Sequence, residues 1–405
     1  MSHPKSHVER SDVQDLGQGK NQRGFGRAEY ETRLTRAQAE MTARQLDAVV
    51  VTAPPNWRYF AGFATQFWES PTRPWFLVLP REGAPIAVIP TIGEPGIART
   101  WVADIRTWSA PQPEDDGVSL MAQVLGDIPR TFGRVGWEMG RESIIRMPIA
   151  DFDRIRSACT GIEFADASPL IWRLRMVKSP AEVSKIERAC QIASRASAAL
   201  PGQLSIGMDE HEVARTFRAE LTRQGADAIP FMAVTSGAGG YDQIIVGPLE
   251  RKLASGDVLF IDLGATFDGY FCDFDRNFAV GDIDDETMRV QDIVWRATEA
   301  GIAAARPGAT PADLAAAMVS VMADAGATGG NVGRLGHGLG LQLTEPPSNM
   351  PGDETVLKPG MIMTIEPGMD YANGKMLVHE ENVVITEDGC RLLTTRAPRE
   401  MWRIS

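Results

Sequence analysis

Residues 257–278, DVLFIDLGATFDGYFCDFDRNF, set three aspartates, Asp262, Asp273 and Asp275, into a largely apolar stretch. Val258–Leu263 reads as a β-branched strand carrying one acid, and Asp268-Gly269 is a strong two-residue hairpin signal. With those two residues as the loop, Asp262 falls opposite Asp275, and Gly264 opposite Asp273. Side chains alternate along a strand, so the three aspartates share one face. Carboxylates gathered on an apolar face repel one another, and a hard divalent cation, which prefers oxygen ligands, relieves that repulsion. The plainer alternative is a solvated hairpin face with one acid paired to Arg276.

Three further segments carry ligand-type residues. GHGLGL (336–341) holds His337 between glycines, where backbone approaches closely. TIEPGM (364–369) ends an apolar strand in Glu366, and LVHEENVVI (377–385) places Glu380 in another. Each has an ordinary structural explanation when taken alone. Together they give two Asp, one His and two Glu at strand ends or glycine turns. A carboxylate-rich N/O set favours manganese, iron, cobalt or zinc, usually as a pair of divalent ions.

These residues need a scaffold, and the pattern supplies an α/β (α+β) one. Residues 1–26 read as a flexible or partner-docked tail. Tyr30, Leu34, Ala37 and Met41 then recur at helix spacing. Apolar runs at Ala48–Thr52, Trp75–Leu79, Ile86–Ile89 and Arg134–Trp137 alternate with polar segments, giving an α/β domain over 27–175. Pro54-Pro55-Asn56 breaks the first of these runs. A second domain, 176–405, opens at Lys178-Ser179-Pro180, where Ser179 and Glu182 are placed for a capping box. Helices are also signalled from about Met208 to Gln224, and from Thr310-Pro311 to Gly326.

A chain of 405 residues, 43% hydrophobic and 23% charged, has material for two cores. Its net charge of −12 argues against nucleic acid or an anionic membrane as partner, since both call for basic patches. No apolar run approaches the roughly 18 residues of a spanning helix, and the polar start lacks a signal-peptide core. Cys159, Cys190, Cys272 and Cys390 lie far apart, which suits reduced thiols in a cytoplasmic protein.

The order Asp262, Asp273, His337, Glu366, Glu380, within FIDLGA, GYFCDFDR, GHGLGL, TIEPGM and HEEN, resembles the pita-bread metallopeptidase family, which includes aminopeptidase P, prolidase and creatinase. The resemblance covers the whole chain and implies a creatinase/prolidase-like N-terminal domain followed by a pita-bread catalytic domain. It implies that Asp262 chelates one ion, that Asp273 and Glu380 bridge two, and that His337 and Glu366 complete the second. It further implies a metal-bridging water as nucleophile, Glu366 as proton shuttle, and a homodimer in which one chain's N-terminal domain covers its partner's site.

The chain departs from the family around the ligands. Family histidines outside the ligand set correspond here to Thr344 and Gly333 and to the His-free stretch 237–247, and a family arginine to Val378. The chain's other histidines are His3, His7, His211 and His379, and the last should face away from Glu380 on its strand. A threonine cannot deliver a proton as an imidazole does. The expected activity is therefore cleavage of a C–N, amide-type bond in a small molecule. The alternatives are a genuine Xaa-Pro dipeptidase or aminopeptidase acting on short peptides, and a lyase acting on a small zwitterion. Thr344, Tyr241 and Asp242 are candidates for substrate handling, the last two being equally explicable as turn residues after Gly239-Gly240. In QFWESPTRPWF (66–76), Trp68 and Trp75 are candidates for an aromatic wall and Arg73 for a carboxylate anchor, against a plainer role in the core and in a surface ion pair.

Overall fold

The computed structural model describes residues 23–69, 73–326, 333–371 and 374–405. Contacts divide the chain into two compact units, one ending at Leu174 and the other running from Arg175 to Ser405. Most of the expected tail, with His3 and His7, lies outside the described residues.

In the first unit the helix Arg27–Ala43 buries Tyr30, Leu34, Ala37 and Met41, the residues whose spacing announces it. A six-stranded sheet runs in the order 104–108, 86–90, 76–80, 48–51, 134–137, 163–166. Its central strand, Ala48–Val51, pairs antiparallel with Phe76–Pro80 and parallel with Arg134–Trp137. Phe76, Val78, Val124, Val135 and Trp137 lie in its core. The two outermost strands, Asp104–Trp108 and Glu163–Asp166, are partly exposed and carry mixed polar sequences, so no apolar run marks them.

Pro54-Pro55-Asn56 does more than end a strand, since it starts the helix Pro54–Ala61. Proline tolerates the first helical turn, and the buried Glu138 carboxylate accepts the Thr52 and Ala53 N–H groups and the Asn56 amide beside it.

In the second unit, helices begin where their caps are written. Ser179 with Glu182, Asp209 with Glu212 and Thr310 with Asp313 form capping boxes at Pro180–Ala199, Glu210–Gln224 and Pro311–Asp324. One sheet orders the strands 402–404, 274–280, 257–267 and 228–238, and another 345–348, 337–338, 362–365, 381–385 and 390–392. The helix Asp285–Ala304 packs Val290, Val294 and Ala297 in a core with Val258 and Phe260 of the first sheet. Leu314 and Met318 of Pro311–Asp324 share a core with Met363, Ile365, Val383 and Ile385 of the second. The two helices pack on each other, one backing each sheet, and the acids lie within or just beyond the strands of both sheets.

Candidate metal centre

The hairpin forms as its sequence dictates. Asp268 and Gly269 have φ of +49° and +77°, the left-handed pair that a tight hairpin turn requires. Asp275 pairs with Asp262 and Phe274 with Leu263. The register therefore sets Asp262 and Asp275 side by side, between apolar neighbours and at 9% and 1% exposure. The ladder opens at Asp273, where a partnership with Gly264 is expected. The Asp273 N–H instead donates to Asn382 Oδ1 at 3.0 Å, and the Asn382 amide returns a bond to the Asp273 carbonyl. That exchange ties the hairpin to the strand Glu381–Ile385 of the other sheet.

On that second sheet Ile365 pairs with Glu381, so extending the register brings Glu366 opposite Glu380. His337 lies on the adjoining short strand, across from Ser348. Its flanking glycines are sterically required. A Cβ at Gly336 would fall 2.3 Å from the Thr364 carbonyl oxygen, and one at Gly338 would fall 2.5 Å from that of Pro346. The imidazole Nδ1 lies 2.8 Å from the Gly338 carbonyl, which can only accept, so Nδ1 carries the proton and Nε2 is bare. Nε2 points at Asp273 Oδ2, 3.3 Å away. Burial keeps this imidazole's pKa below its ordinary value, and a neutral imidazole is the form that ligates metal.

Asp273, His337 and Glu380 each offer a ligand atom, all within 4.8 Å of one another. Asp262 and Glu366 belong to the same electrostatic cluster. The Asp262 carboxyl is pushed well above the carboxylate range by burial, then by the neighbouring charges of Asp273 and Glu366. Burial, with like-charge neighbours, also raises Glu380 strongly, while Glu366 rises to about 7 because His337 and Arg334 partly offset its burial. Asp262 Oδ1, Glu380 Oε1 and both oxygens of Asp275 are buried without a hydrogen-bond partner among the described residues. A fold leaves buried acceptors unpaired at a cost of about 1–3 kcal/mol each, more when charged. A bare Nε2 grouped with the Asp273 and Glu380 carboxylates, beside further orphaned carboxylate oxygens, is the donor set of a divalent-ion site, and the residues fit that role. The solvated-face alternative does not hold, because Arg276 turns to the other side and pairs with Glu381 at 3.1 Å.

Around this cluster several expectations change. Tyr241 is not placed to act as an acid or base. Its ring packs on Phe260, and its hydroxyl donates to Asn277 Oδ1 at 3.1 Å and accepts the Val378 N–H at 2.7 Å. Burial pushes that phenol well above its ordinary pKa, so Tyr241 is a framework residue that ties Asn277 to Val378. Asp242 beside it is exposed, and Val378 is wholly buried. His379 points away from the acids as expected. It sits by Thr298 and Arg396, and burial pushes its pKa down to about 3. His211 is exposed on its helix.

Thr344 is half-buried and accepts a hydrogen bond from Arg334 at 3.2 Å. Arg334 also reaches Ser348 Oγ at 3.3 Å and pairs with no carboxylate among the described residues. Its charge acts on Asp273, Glu366 and His337. Sequence reasoning missed this residue, although a lone cation three positions before His337 is a legible signal. In the N-terminal unit, Trp75 is 3% exposed and belongs to an aromatic cluster with Trp57 and Phe63, which is core packing rather than a wall. Trp68 packs on the same rings but stays half-buried, and Arg146 holds the carbonyls of Trp68 and Arg73.

Comparison with known proteins agrees with this geometry. Residues 184–387 match metallopeptidase family M24, and residues 33–177 match the creatinase/prolidase N-terminal domain. The probable dipeptidase PepE of Mycobacterium tuberculosis is 30% identical over 94% of this chain and 98% of its own. The crystal structure of dipeptidase PepE from Mycobacterium ulcerans superposes with a TM-score of 0.81 at 31% identity, covering 94% and 99% of the two chains. A recombinant prolidase from Thermococcus sibiricus gives a TM-score of 0.83 at 26% identity, covering 94% of this chain and 100% of the other. With these matches and a buried Asp–His–Glu cluster, the chain belongs to metallopeptidase family M24, with a creatinase-type N-terminal domain, and is a metal-dependent hydrolase of amide-type C–N bonds.

Proposed function

We propose that the enzyme cleaves the C–N bond of a small, carboxylate-bearing amide at a centre of two divalent ions held by Asp262, Asp273, His337, Glu366 and Glu380. The observation that carries this reading is the buried Asp273–His337–Glu380 cluster, its ligand atoms within 4.8 Å of one another, together with the unpartnered oxygens of Asp262 and Glu380. Two divalent ions held there, of manganese, iron, cobalt or zinc, would supply Lewis acidity at the scissile carbonyl and an activated water. Glu366 takes the proton of the attacking water on its carboxylate and returns it to the leaving nitrogen. Arg334, steadied by Thr344 and Ser348, binds the substrate's carboxylate as a charge-assisted donor.

A substrate panel on metal-loaded protein tests the reading. Small N-acyl amino acids should turn over at a rate of order 1 s⁻¹ or faster. Xaa-Pro dipeptides should be slower by about 10²–10⁴-fold, because no imidazole besides His337 stands ready to protonate the leaving nitrogen. Xaa-Pro turnover of a few per second would instead establish the dipeptidase reading, which the names of the PepE and prolidase relatives favour. Arg334→Ala should raise KM for carboxylate-bearing substrates by about 10–100-fold, the worth of one charged hydrogen bond. An equal KM for the free acid and its amide in the unmodified enzyme would count against that anchor.

The same reading includes a cytoplasmic homodimer, with Trp68 and Arg73 contributing to substrate binding. Four free cysteines, three of them buried, support a reducing compartment. Among the described residues no helix is long and apolar enough to cross a membrane. Light scattering should give twice the 44.1 kDa chain mass. Trp68→Ala and Arg73→Ala should raise KM with metal content unchanged, and a monomer with full activity would rule out the dimer.

A further inference from the structure

The five-residue ligand set leaves one acid unexplained. Asp275 is 1% exposed, lies directly opposite Asp262 in the ladder, and points to the same face. Both of its carboxylate oxygens are buried with no hydrogen-bond partner among the described residues. The cation next to it in sequence does not serve it. The Arg276 guanidinium donates to the carbonyls of Asp275, Glu380 and Thr395 and to the Glu381 carboxylate.

Three buried acids of this unit outside the cluster are paired with cations. Glu381 takes Arg276 and Arg396, Glu345 takes Arg175 and Lys178, and Asp257 takes Arg251. Asp275 has no such partner among the described residues, and a carboxylate with two bare oxygens in an apolar setting needs a cation. Asp273, His337 and Glu380 make one corner of the centre. Asp262 and Asp275, each with bare oxygen, are carried side by side by one hairpin, and the charges of Asp262 and Glu366 act on Asp275.

We propose that Asp275 is an additional metal ligand of this chain, acting with Asp262 on the hairpin side of the centre. It makes that side richer in oxygen and in charge than the five-residue set alone. Hard ions such as manganese then gain there over zinc, which takes nitrogen and sulfur readily. The inference rests on the reading that the centre holds divalent ions.

The test is manganese binding to the full-length, metal-stripped protein, by calorimetry and elemental analysis, for wild type, Asp275→Asn and Asp275→Glu. Loss of an outer-shell partner weakens metal binding by about 10–100-fold, and loss of a ligand should do at least as much. Asp275→Asn should therefore lose one ion, or bind it on the order of 100-fold more weakly, while Asp275→Glu recovers most of the affinity. Metal-free Asp275→Asn should also melt higher than metal-free wild type, because a buried unpaired acid is gone. A residue with a purely structural role would lower that melting point. Unchanged manganese stoichiometry and affinity in Asp275→Asn overturns the inference, whereas a wild type that binds no manganese overturns the metal reading itself. Anomalous scattering from manganese-soaked wild-type crystals decides the matter even if the variants do not fold. An ion within about 2.6 Å of a carboxylate oxygen of Asp275 supports the inference, and ions beyond that reach sink it.

Discussion

Glu366→Gln is expected to lower kcat by about 10²–10⁴-fold, the usual loss when a positioned acid/base is removed. The change keeps the side chain's shape and one ligand-type oxygen but removes its capacity to carry a proton. Glu366 is the most accessible of the five expected ligands, the other four being fully buried, so it can meet a substrate nitrogen. In the metal-free fold its carboxyl is pushed up to about 7 by burial, with His337 and Arg334 offsetting part of that rise. Because Glu366 also belongs to the ligand set, kcat must be read per metal-loaded molecule, with metal content measured on the same sample. A fully loaded Glu366→Gln enzyme running within a few-fold of wild type would remove this residue from proton handling.

The sequence made the hairpin legible because a hairpin is a local object. Asp268-Gly269 specifies the turn, the turn specifies the register, and the register places Asp262 beside Asp275. Three helix starts were legible for the same reason, since Ser179, Asp209 and Thr310 each cap within three residues. The detour at Asp273 was not, because its cause is Asn382, more than a hundred residues away. Tyr241 shows the same limit. The residue after Gly239-Gly240 reads as a turn residue or a proton donor, and only packing against Phe260, Asn277 and Val378 assigns it to the framework.

Family resemblance fixed the expected ligands but directed attention to the positions where histidines are missing, Gly333 and Thr344. Gly333 is exposed with open space beside its Cα, so among the described residues nothing replaces an imidazole there. The side chain that reaches Thr344 comes from Arg334, one residue along the chain. Position-by-position comparison does not find such a contact, since the cation lies one residue along from the position where the histidine is missing.

The stabilising effect of metal should grow as pH rises from about 6.5 to 8. In the metal-free fold, burial holds the pKa values of Asp262, Asp273 and Glu380 well above their ordinary range, with repulsion from neighbouring acids adding to it at Asp262 and Glu380, and pushes that of Glu366 up to about 7. The folded chain thus keeps protons that the unfolded chain has already released. Where the folded state binds more protons, stability falls as pH rises, by about 1.4 kcal/mol per pH unit for each acid still protonated. His337 and His379 act in the opposite direction, because burial lowers their pKa values. Their contribution is lost below the unfolded histidine value and is complete above about 6.5, so only the acids shape the curve beyond that point. Metal binding requires ionised carboxylates, which removes the decline and releases protons on loading. Ions present at about a thousand times their dissociation constant add about 4 kcal/mol per site, or roughly 10 °C in melting temperature for a unit of this size. Melting curves with and without manganese after chelation should therefore separate by more at pH 8 than at pH 6.5. Calorimetry near pH 6.5 in buffers of differing ionisation enthalpy should register at least one proton released. Curves that stay parallel across the window, with no proton release, would mean that the acids are already ionised without metal and that their orphaned oxygens are satisfied in some other way.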